Sequence, residues 1–103
     1  MIHTLRREIE NAFGREVLAA AAIDKEGMVC EITVAARGSE SEVPALMEFM
    51  EKGDVVIHNH PSGVLRPSAA DLRIAARLGN FGIGFFIIDN RVENLYAVAE
   101  PVT

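Results

Sequence analysis

The sequence predicts a sandwich of α/β or α+β type, in which a mixed β-sheet is flanked by helices. Amphipathic segments with helical spacing alternate with short apolar segments, in the order α-β-β-α-β-α-β-β. Half of the 103 residues are hydrophobic and 24% are charged, which is enough apolar surface for one packed core. The chain stops just after its last predicted strand, so we expect a single domain, residues 1–103, taken from a longer protein.

The first three elements are predicted to be a helix and a hairpin. The helix covers residues 2–13, where apolar side chains recur at helical spacing, and Gly14 supplies its stop. The hairpin has strands over 16–24 and 28–36, joined by a polar turn. The single cysteine, Cys30, excludes an internal disulfide and is expected to be a buried thiol that serves as a small hydrophobic residue.

A second helix and a third strand follow. The helix is predicted over residues 42–52, with Pro44 tolerated because it falls in the first turn and Gly53 just after the end. The strand over 55–57 is short and wholly apolar, which is typical of a strand that is buried on both faces.

The remaining elements are a third helix and two strands. The helix opens at Pro67-Ser68, and four of its residues are expected to pack inward: Leu72, Ala75, Ala76 and Gly79. Strands over 83–88 and 93–99 complete the sheet, and the alternation of the last one predicts an edge strand.

Charge and hydropathy exclude several classes of function. The formal net charge is −5, with ten Lys and Arg against fifteen acids, so direct binding of nucleic acid by this domain is not expected. No apolar run approaches the roughly 20 residues of a membrane span, which predicts no membrane partner. The N-terminal segment lacks the apolar core of a secretory signal, so the expected location is the cytoplasm.

The segment from residue 58 to residue 71 carries the chemistry. His58 and His60 end the third predicted strand, and the following loop brings Asp71, in the first turn of the next helix, opposite them. Two imidazoles and one carboxylate leave a fourth tetrahedral position for water, which is the pattern of a catalytic zinc site. Zinc lowers the pKa of a bound water to about 7 and polarises a carbonyl. Several glutamates can supply the general base, and spacing alone singles out none of them.

This segment resembles the JAMM (JAB/MPN+) metallopeptidases. His58, His60, Ser68 and Asp71 occupy every fixed position of the signature His-x-His-x7-Ser-x-x-Asp. The context His-Asn-His-Pro-Ser-Gly is most similar to the bacterial RadC-like branch of that family. The resemblance implies a cytidine-deaminase-like α-β-α sandwich that holds Zn²⁺ through His58, His60 and Asp71.

The resemblance also implies roles for two catalytic residues. The hydroxyl of Ser68 would help to stabilise the tetrahedral intermediate. The family's general base is a glutamate at the start of an early strand, and Glu16 occupies that place. Glu31 fits less well because it lies in mid-strand, and Glu42 because it lies in the first turn of a helix. The implied reaction is hydrolysis of a peptide or isopeptide bond, with Glu16 activating the zinc-bound water that attacks the carbonyl.

Structural roles stay open for the same residues. Ser68 and Asp71 have the spacing of a capping box, and a carboxylate committed to zinc has less capacity for capping. Glu16 can be a solvated residue at a strand edge, which is the commonest place for a glutamate. Asn59 is expected to stabilise the loop through side-chain hydrogen bonds and to take no part in chemistry.

A second class of function also stays open. The chain has no room for the insertions with which eukaryotic members of the family grip ubiquitin. It can therefore be a catalytically silent, metal-binding interaction module of a DNA-repair or helicase-associated protein. As an enzyme it would act on a protein or peptide, for which a ubiquitin-like or sulfur-carrier tail is one candidate. An exposed edge strand over 92–99 would allow two copies to form a homodimer.

Overall fold

The computed structural model describes residues 2–12, 14–34 and 40–102. The predictions for Phe13 and for residues 35–36 lie outside this part of the chain. A 3-10 turn, Glu40–Glu42, precedes the second helix. The other elements are α1 (Ile2–Asn11), β1 (Leu18–Ile23), β2 (Val29–Val34), α2 (Val43–Met47), β3 (Val55–Asn59), α3 (Ala69–Gly79), β4 (Gly84–Ile88) and β5 (Leu95–Ala99).

The described strands form one five-stranded mixed sheet in the order β2-β1-β3-β4-β5. β3 and β4 are parallel, and the three other neighbouring pairs are antiparallel. The prediction of a mixed α/β fold is therefore confirmed, and β5 lies at an edge as expected. The register pairs Leu18 at the start of β1 with His58 near the end of β3. The start of β1 and the carboxyl end of β3 therefore lie next to each other at the same end of the sheet.

Helices cover both faces of the sheet. Side chains of successive residues in a strand point to opposite faces, so a strand can contribute to two apolar clusters. The cluster on the α2 and α3 face contains Val56 and Phe85, and the cluster on the α1 face contains Val55 and Ile57. No helix within the described residues is long and apolar enough to cross a membrane.

Helix α2 is shorter than predicted. It ends at Met47, although the pattern predicted a helix over residues 42–52. After Met47 the N–H groups of Phe49 and Met50 donate to carbonyls three residues back, and Oδ2 of Asp54 then accepts the backbone N–H of Glu51 at 2.9 Å. That N–H is one that a longer helix would have bonded to the carbonyl of Met47. Pro44 lies in the first turn of α2, as expected.

Helix α3 presents a different face to the core from the predicted one. Leu72 is 54% exposed, and of the four residues predicted to pack inward only Ala75 is buried. The buried residues of this helix are Asp71, Ile74, Ala75 and Leu78. Asp71 in the first turn is buried, and residues three and four apart share one face of a helix. The face of α3 that contains Asp71 is therefore the face that packs on the core.

The prediction of a buried thiol at Cys30 is wrong. Cys30 is exposed, and its sulfur lies 3.4 Å from the carbonyl oxygen of Ala22. It lies on β2, which is an edge strand of the described sheet. A residue on an edge strand has a neighbouring strand on one side only, so an apolar pattern there does not ensure burial.

Candidate metal centre

The carboxyl end of β3 delivers two histidine rings to one point. His58 is 3% exposed and its side chain is on the α3 side of the sheet, where its ring stacks on Phe85. His60 follows the strand, and its N–H donates to the carbonyl of Ile88 at 2.8 Å, which extends the parallel pairing beyond Asn59. The two imidazole rings are perpendicular, with centroids 5.2 Å apart.

Each ring is oriented by a backbone carbonyl. Nδ1 of His58 lies 2.9 Å from the oxygen of Val17, and Nδ1 of His60 lies 2.9 Å from the oxygen of Val64. A carbonyl oxygen can only accept, so both Nδ1 atoms carry the proton. In the neutral ring the lone pair is then on Nε2. Metal-binding histidines are commonly fixed by this type of hydrogen bond.

Two carboxylates face the Nε2 atoms. An oxygen of Glu16 lies 3.8 Å from Nε2 of His58, and Oδ1 of Asp71 lies 3.7 Å from the same nitrogen. Oδ2 of Asp71 lies 3.0 Å from Nε2 of His60. Ligand atoms of Glu16, His58 and His60 all lie within 4.8 Å of one another. The structure therefore brings together four of the five predicted site residues by direct side-chain contact.

The fifth, Ser68, joins the cluster through a capping box at the start of α3. Oγ of Ser68 accepts the N–H of Asp71 at 3.1 Å, and Oδ2 of Asp71 accepts the N–H of Ser68 at 2.8 Å. The capping role is therefore present for both residues. In Asp71 the box uses Oδ2, while Oδ1 faces His58. Ligation by Asp71 and a catalytic part for Ser68 stay predictions.

The chemistry of these donors fits a divalent cation. Two unprotonated nitrogens and two carboxylates repel one another unless a proton or a cation lies between them. Bonds of about 2.0–2.2 Å in a tetrahedral site place ligand atoms roughly 3.3–3.6 Å apart. The separations of 3.0 and 3.7 Å between Asp71 and the two histidines lie on either side of that range. Nitrogen and carboxylate oxygen form a ligand set that suits zinc.

The segment that carries Glu16 is held by two asparagines. Asn59 is 1% exposed, and its Oδ1 accepts the N–H of Val17 at 2.6 Å. Its Nδ2 donates to the carbonyl of Arg15 at 3.0 Å and to Oδ1 of Asn90 at 2.7 Å. Nδ2 of Asn90 donates to the carbonyl of Gly14 at 3.0 Å. The sequence predicted side-chain hydrogen bonds for Asn59, but the loop that it holds is the one before β1.

Sequence reasoning missed Asn90. Its only signal was its place in a polar turn between two predicted strands, which is too common a feature to indicate a site. Among the described residues, the group of ligand atoms within 4.8 Å of one another contains Glu16, His58 and His60, and it includes neither Asp71 nor the alternatives Glu31 and Glu42. Glu16 is 51% exposed, so one side of its carboxylate is open to solvent.

Comparisons with known proteins agree with this geometry. The sequence model of the RadC-like JAB domain family matches residues 1–87, which include the whole cluster from Glu16 to Asp71. A UPF0758 protein of Shewanella amazonensis is 36% identical over 73 aligned positions, covering 63% of this chain and 32% of the relative. UPF0758 proteins of Shewanella baltica and Shewanella putrefaciens are 34% identical with the same coverage. The chain spans about a third of the length of these relatives.

Proposed function

Because the chain belongs to the RadC-like JAB domain family, we propose that it is a zinc-dependent hydrolase of peptide or isopeptide bonds. The observation that carries the proposal is the orientation of the two histidines. Each ring uses Nδ1 on a backbone carbonyl and presents Nε2 to the carboxylates of Glu16 and Asp71. The relation of this family to the JAMM metallopeptidases supports a hydrolytic reaction.

In this proposal His58, His60 and Asp71 hold the zinc ion and Glu16 is the general base. Burial supports the division of roles between the two carboxylates. The side chain of Asp71 is 4% exposed, as suits a ligand, whereas that of Glu16 is 51% exposed, as suits a group that meets water and substrate. When bound, zinc supplies Lewis acidity toward a carbonyl and lowers the pKa of a water to about 7.

The protein's own groups then move protons and stabilise charge. Glu16 takes a proton from water and passes it to the leaving amine, which its place beside His58 and its exposure allow. Ser68 accepts the N–H of Asp71 through a lone pair of Oγ, so its hydroxyl hydrogen stays available. That hydrogen can be donated to the oxygen of a substrate carbonyl as negative charge develops there.

Metal stoichiometry in two isosteric variants tests the ligand set. We expect the wild-type chain, purified without chelator, to contain about one zinc, to retain it in Glu16→Gln and to lose it in Asp71→Asn. Asn at position 71 still accepts the N–H of Ser68, so the start of α3 is preserved. Loss in Glu16→Gln with retention in Asp71→Asn would reverse the two roles. No zinc in the wild type after reconstitution would contradict the proposal.

Turnover tests the reaction itself. We propose a protein or peptide substrate, with a ubiquitin-like or sulfur-carrier tail as the first to be tried. With such a tail joined through a peptide or isopeptide bond, Glu16→Gln is expected to abolish cleavage while zinc is retained. Equal cleavage by the wild type and Glu16→Gln would mean that Glu16 is not the base.

A metal-binding interaction module without turnover is the second candidate. The chain spans about a third of its relatives' length, and their names state no reaction. Such a module would serve a DNA-repair or helicase-associated protein. It predicts that a partner contact survives both Glu16→Gln and loss of zinc, as in His58→Ala. The hydrolase predicts that Glu16→Gln removes turnover.

The proposal has four further parts. The mixed sheet with helices on both faces supports a cytidine-deaminase-like sandwich. β5 at the edge, with Leu95 and Tyr96 exposed, supports pairing of two copies. The net charge of −5 supports partners other than nucleic acid, and a cytoplasmic location fits the single, free cysteine.

A further inference from the structure

We propose that Asn59 and Asn90 are positioning residues that place Glu16 and His58 relative to each other. The inference rests on the proposed function, because it gives these asparagines a purpose at the same site. The hydrogen bonds of their side chains go to the backbone and to each other, and none goes to the side chains of Glu16, His58, His60 or Asp71. They act through the backbone of the segment from residue 14 to residue 17, here called the base loop.

The base loop precedes β1 and takes no part in the pairing of strands. Pairing of β1 with β3 begins at Leu18 opposite His58, and residues 15–17 belong to no helix or strand. A backbone segment of this kind needs other partners for its N–H and C=O groups. The asparagines supply them at Gly14, Arg15 and Val17, on both sides of Glu16.

The asparagine pair is a connected network of hydrogen bonds. Both N–H groups of the Asn59 amide and its oxygen are used, and the Asn59 side chain is 1% exposed. Asn90 accepts from Asn59 and donates to Gly14, which extends the network to the start of the base loop. Buried polar networks with every member satisfied rigidify the groups that they contain. The base loop is therefore held with a defined backbone.

Val17 connects this network to His58. The N–H of Val17 is bound by Asn59, and its carbonyl accepts the proton of Nδ1 of His58. His58 and Asn59 are consecutive in β3 and point to opposite faces of the sheet. A displacement of Val17 would therefore move the adjacent residue Glu16, and it would also move the carbonyl oxygen that orients the His58 ring. Loss of such a partner typically lowers metal affinity by about 10- to 100-fold.

Gly14 gives a second, steric indication that Asn90 packs against the base loop. A Cβ atom at this position would lie 3.3 Å from Nδ2 of Asn90, and Gly14 has a φ of +74°. The positive φ favours a residue without a side chain, and a Cβ at 3.3 Å would require the amide of Asn90 to shift by a few tenths of an ångström. The close approach of the two groups is therefore part of how the base loop is built.

The experiment compares Asn90→Ala with Asn80→Ala in the full chain. Asn90 is the better target because removal of the fully buried Asn59 endangers folding. Asn80 is an exposed asparagine at the end of α3 and provides the matched control. Amide hydrogen exchange of Val17 and the ring nitrogen shifts of His58 are measured in the metal-free protein, and affinity is measured with Co²⁺.

We expect Asn90→Ala to speed amide exchange at Val17 by about tenfold, because the Asn59 amide that binds the N–H of Val17 loses its own partner. The exchange rate of Val56, in the middle of β3, should not change. The His58 shifts should move away from the Nδ1-protonated form, and Co²⁺ affinity should fall by about 10-fold or more. Asn80→Ala should match the wild type in all three. A merely structural role would lower stability without moving the His58 shifts.

Two results separate the inference from the proposed function. If the wild type binds Co²⁺ and Asn90→Ala binds it equally, with unchanged Val17 exchange and His58 shifts, the positioning role is overturned and the metal site stands. If the wild type binds neither Co²⁺ nor Zn²⁺, the proposed function fails. The metal-free measurements on Val17 and His58 still decide the positioning role in that case.

Discussion

The candidate metal centre has two halves that are built in different ways. The helix half runs from His58 to Asp71, and its internal side-chain contacts join residues at most 13 positions apart. The base loop is fastened by hydrogen bonds between residues 42, 44 and 76 positions apart. Short loops have a small closure entropy, whereas the base loop can form only after the sheet has assembled. The two halves should therefore respond differently to substitution: metal affinity should fall most for changes in the helix half, and stability should fall most for changes in the side chains that hold the base loop.

The largest expected effect is on metal binding in the helix half. His60→Ala removes a nitrogen that we propose as a metal ligand, and we expect zinc affinity to fall by more than the roughly 100-fold that is typical for the partner of a ligand. Titration with Zn²⁺ measures the effect. His3→Ala provides the control, because His3 is an exposed histidine on α1. Similar affinity in His60→Ala and the wild type would show that His60 is not a ligand.

The second effect is on the stability of the base loop. Asn59→Ala removes three hydrogen bonds and leaves buried partners unsatisfied, so we expect about 3 kcal/mol of destabilisation. Ser68→Ala in the helix half removes a helix cap and should lose about 1 kcal/mol. Urea unfolding of both variants measures the difference. Equal losses would mean that the two halves are not distinct in how they are held.

The same contrast explains how much the sequence could predict. The side-chain contacts of the contiguous helix half could be predicted from the sequence, because the proposed ligand spacing and the capping pattern lie within one segment. Glu16 came only from a family resemblance, since no local pattern joins it to His58. Asn90 was missed because its partners at Asn59 and Gly14 are distant in sequence. The fold class could be predicted because hydrophobic periodicity is also a pattern within short segments of the chain.

The errors in the fold have a similar origin. The length of α2 was mispredicted because the chain turns after Met47 through bonds between residues three apart, and Asp54, beyond the helix, takes the N–H of Glu51. The inward face of α3 was mispredicted because apolar spacing gave it to Leu72. The polar Asp71 occupies that face instead. In both cases a buried carboxylate overrides the apolar pattern, and such carboxylates are rare in cores.

A pair of glycine substitutions sharpens the comparison further. Gly14 and Gly27 have φ angles of +74° and +79°, so alanine should cost about 1 kcal/mol of backbone strain at each. At Gly14 the new Cβ would also press on Asn90, whereas nothing lies within 4 Å at Gly27. We expect Gly14→Ala to be the more destabilising of the two in thermal unfolding. Equal melting temperatures would argue that the contact with Asn90 relaxes freely.

The smallest expected effect concerns the turn that carries Asn90, and it depends on pH. The backbone N–H of Glu93 and the side chain of Asn94 donate to Asp89, and these bonds hold the pKa of its carboxyl below the ordinary value. Because the folded pKa is lower than the unfolded one, the ionised form stabilises the turn above about pH 4. This stability is lost as the pH falls through the folded pKa. Asp89→Asn should therefore melt lower than the wild type at pH 7. The gap should narrow near pH 3, and a gap that stays constant with pH would exclude ionised Asp89 as its source.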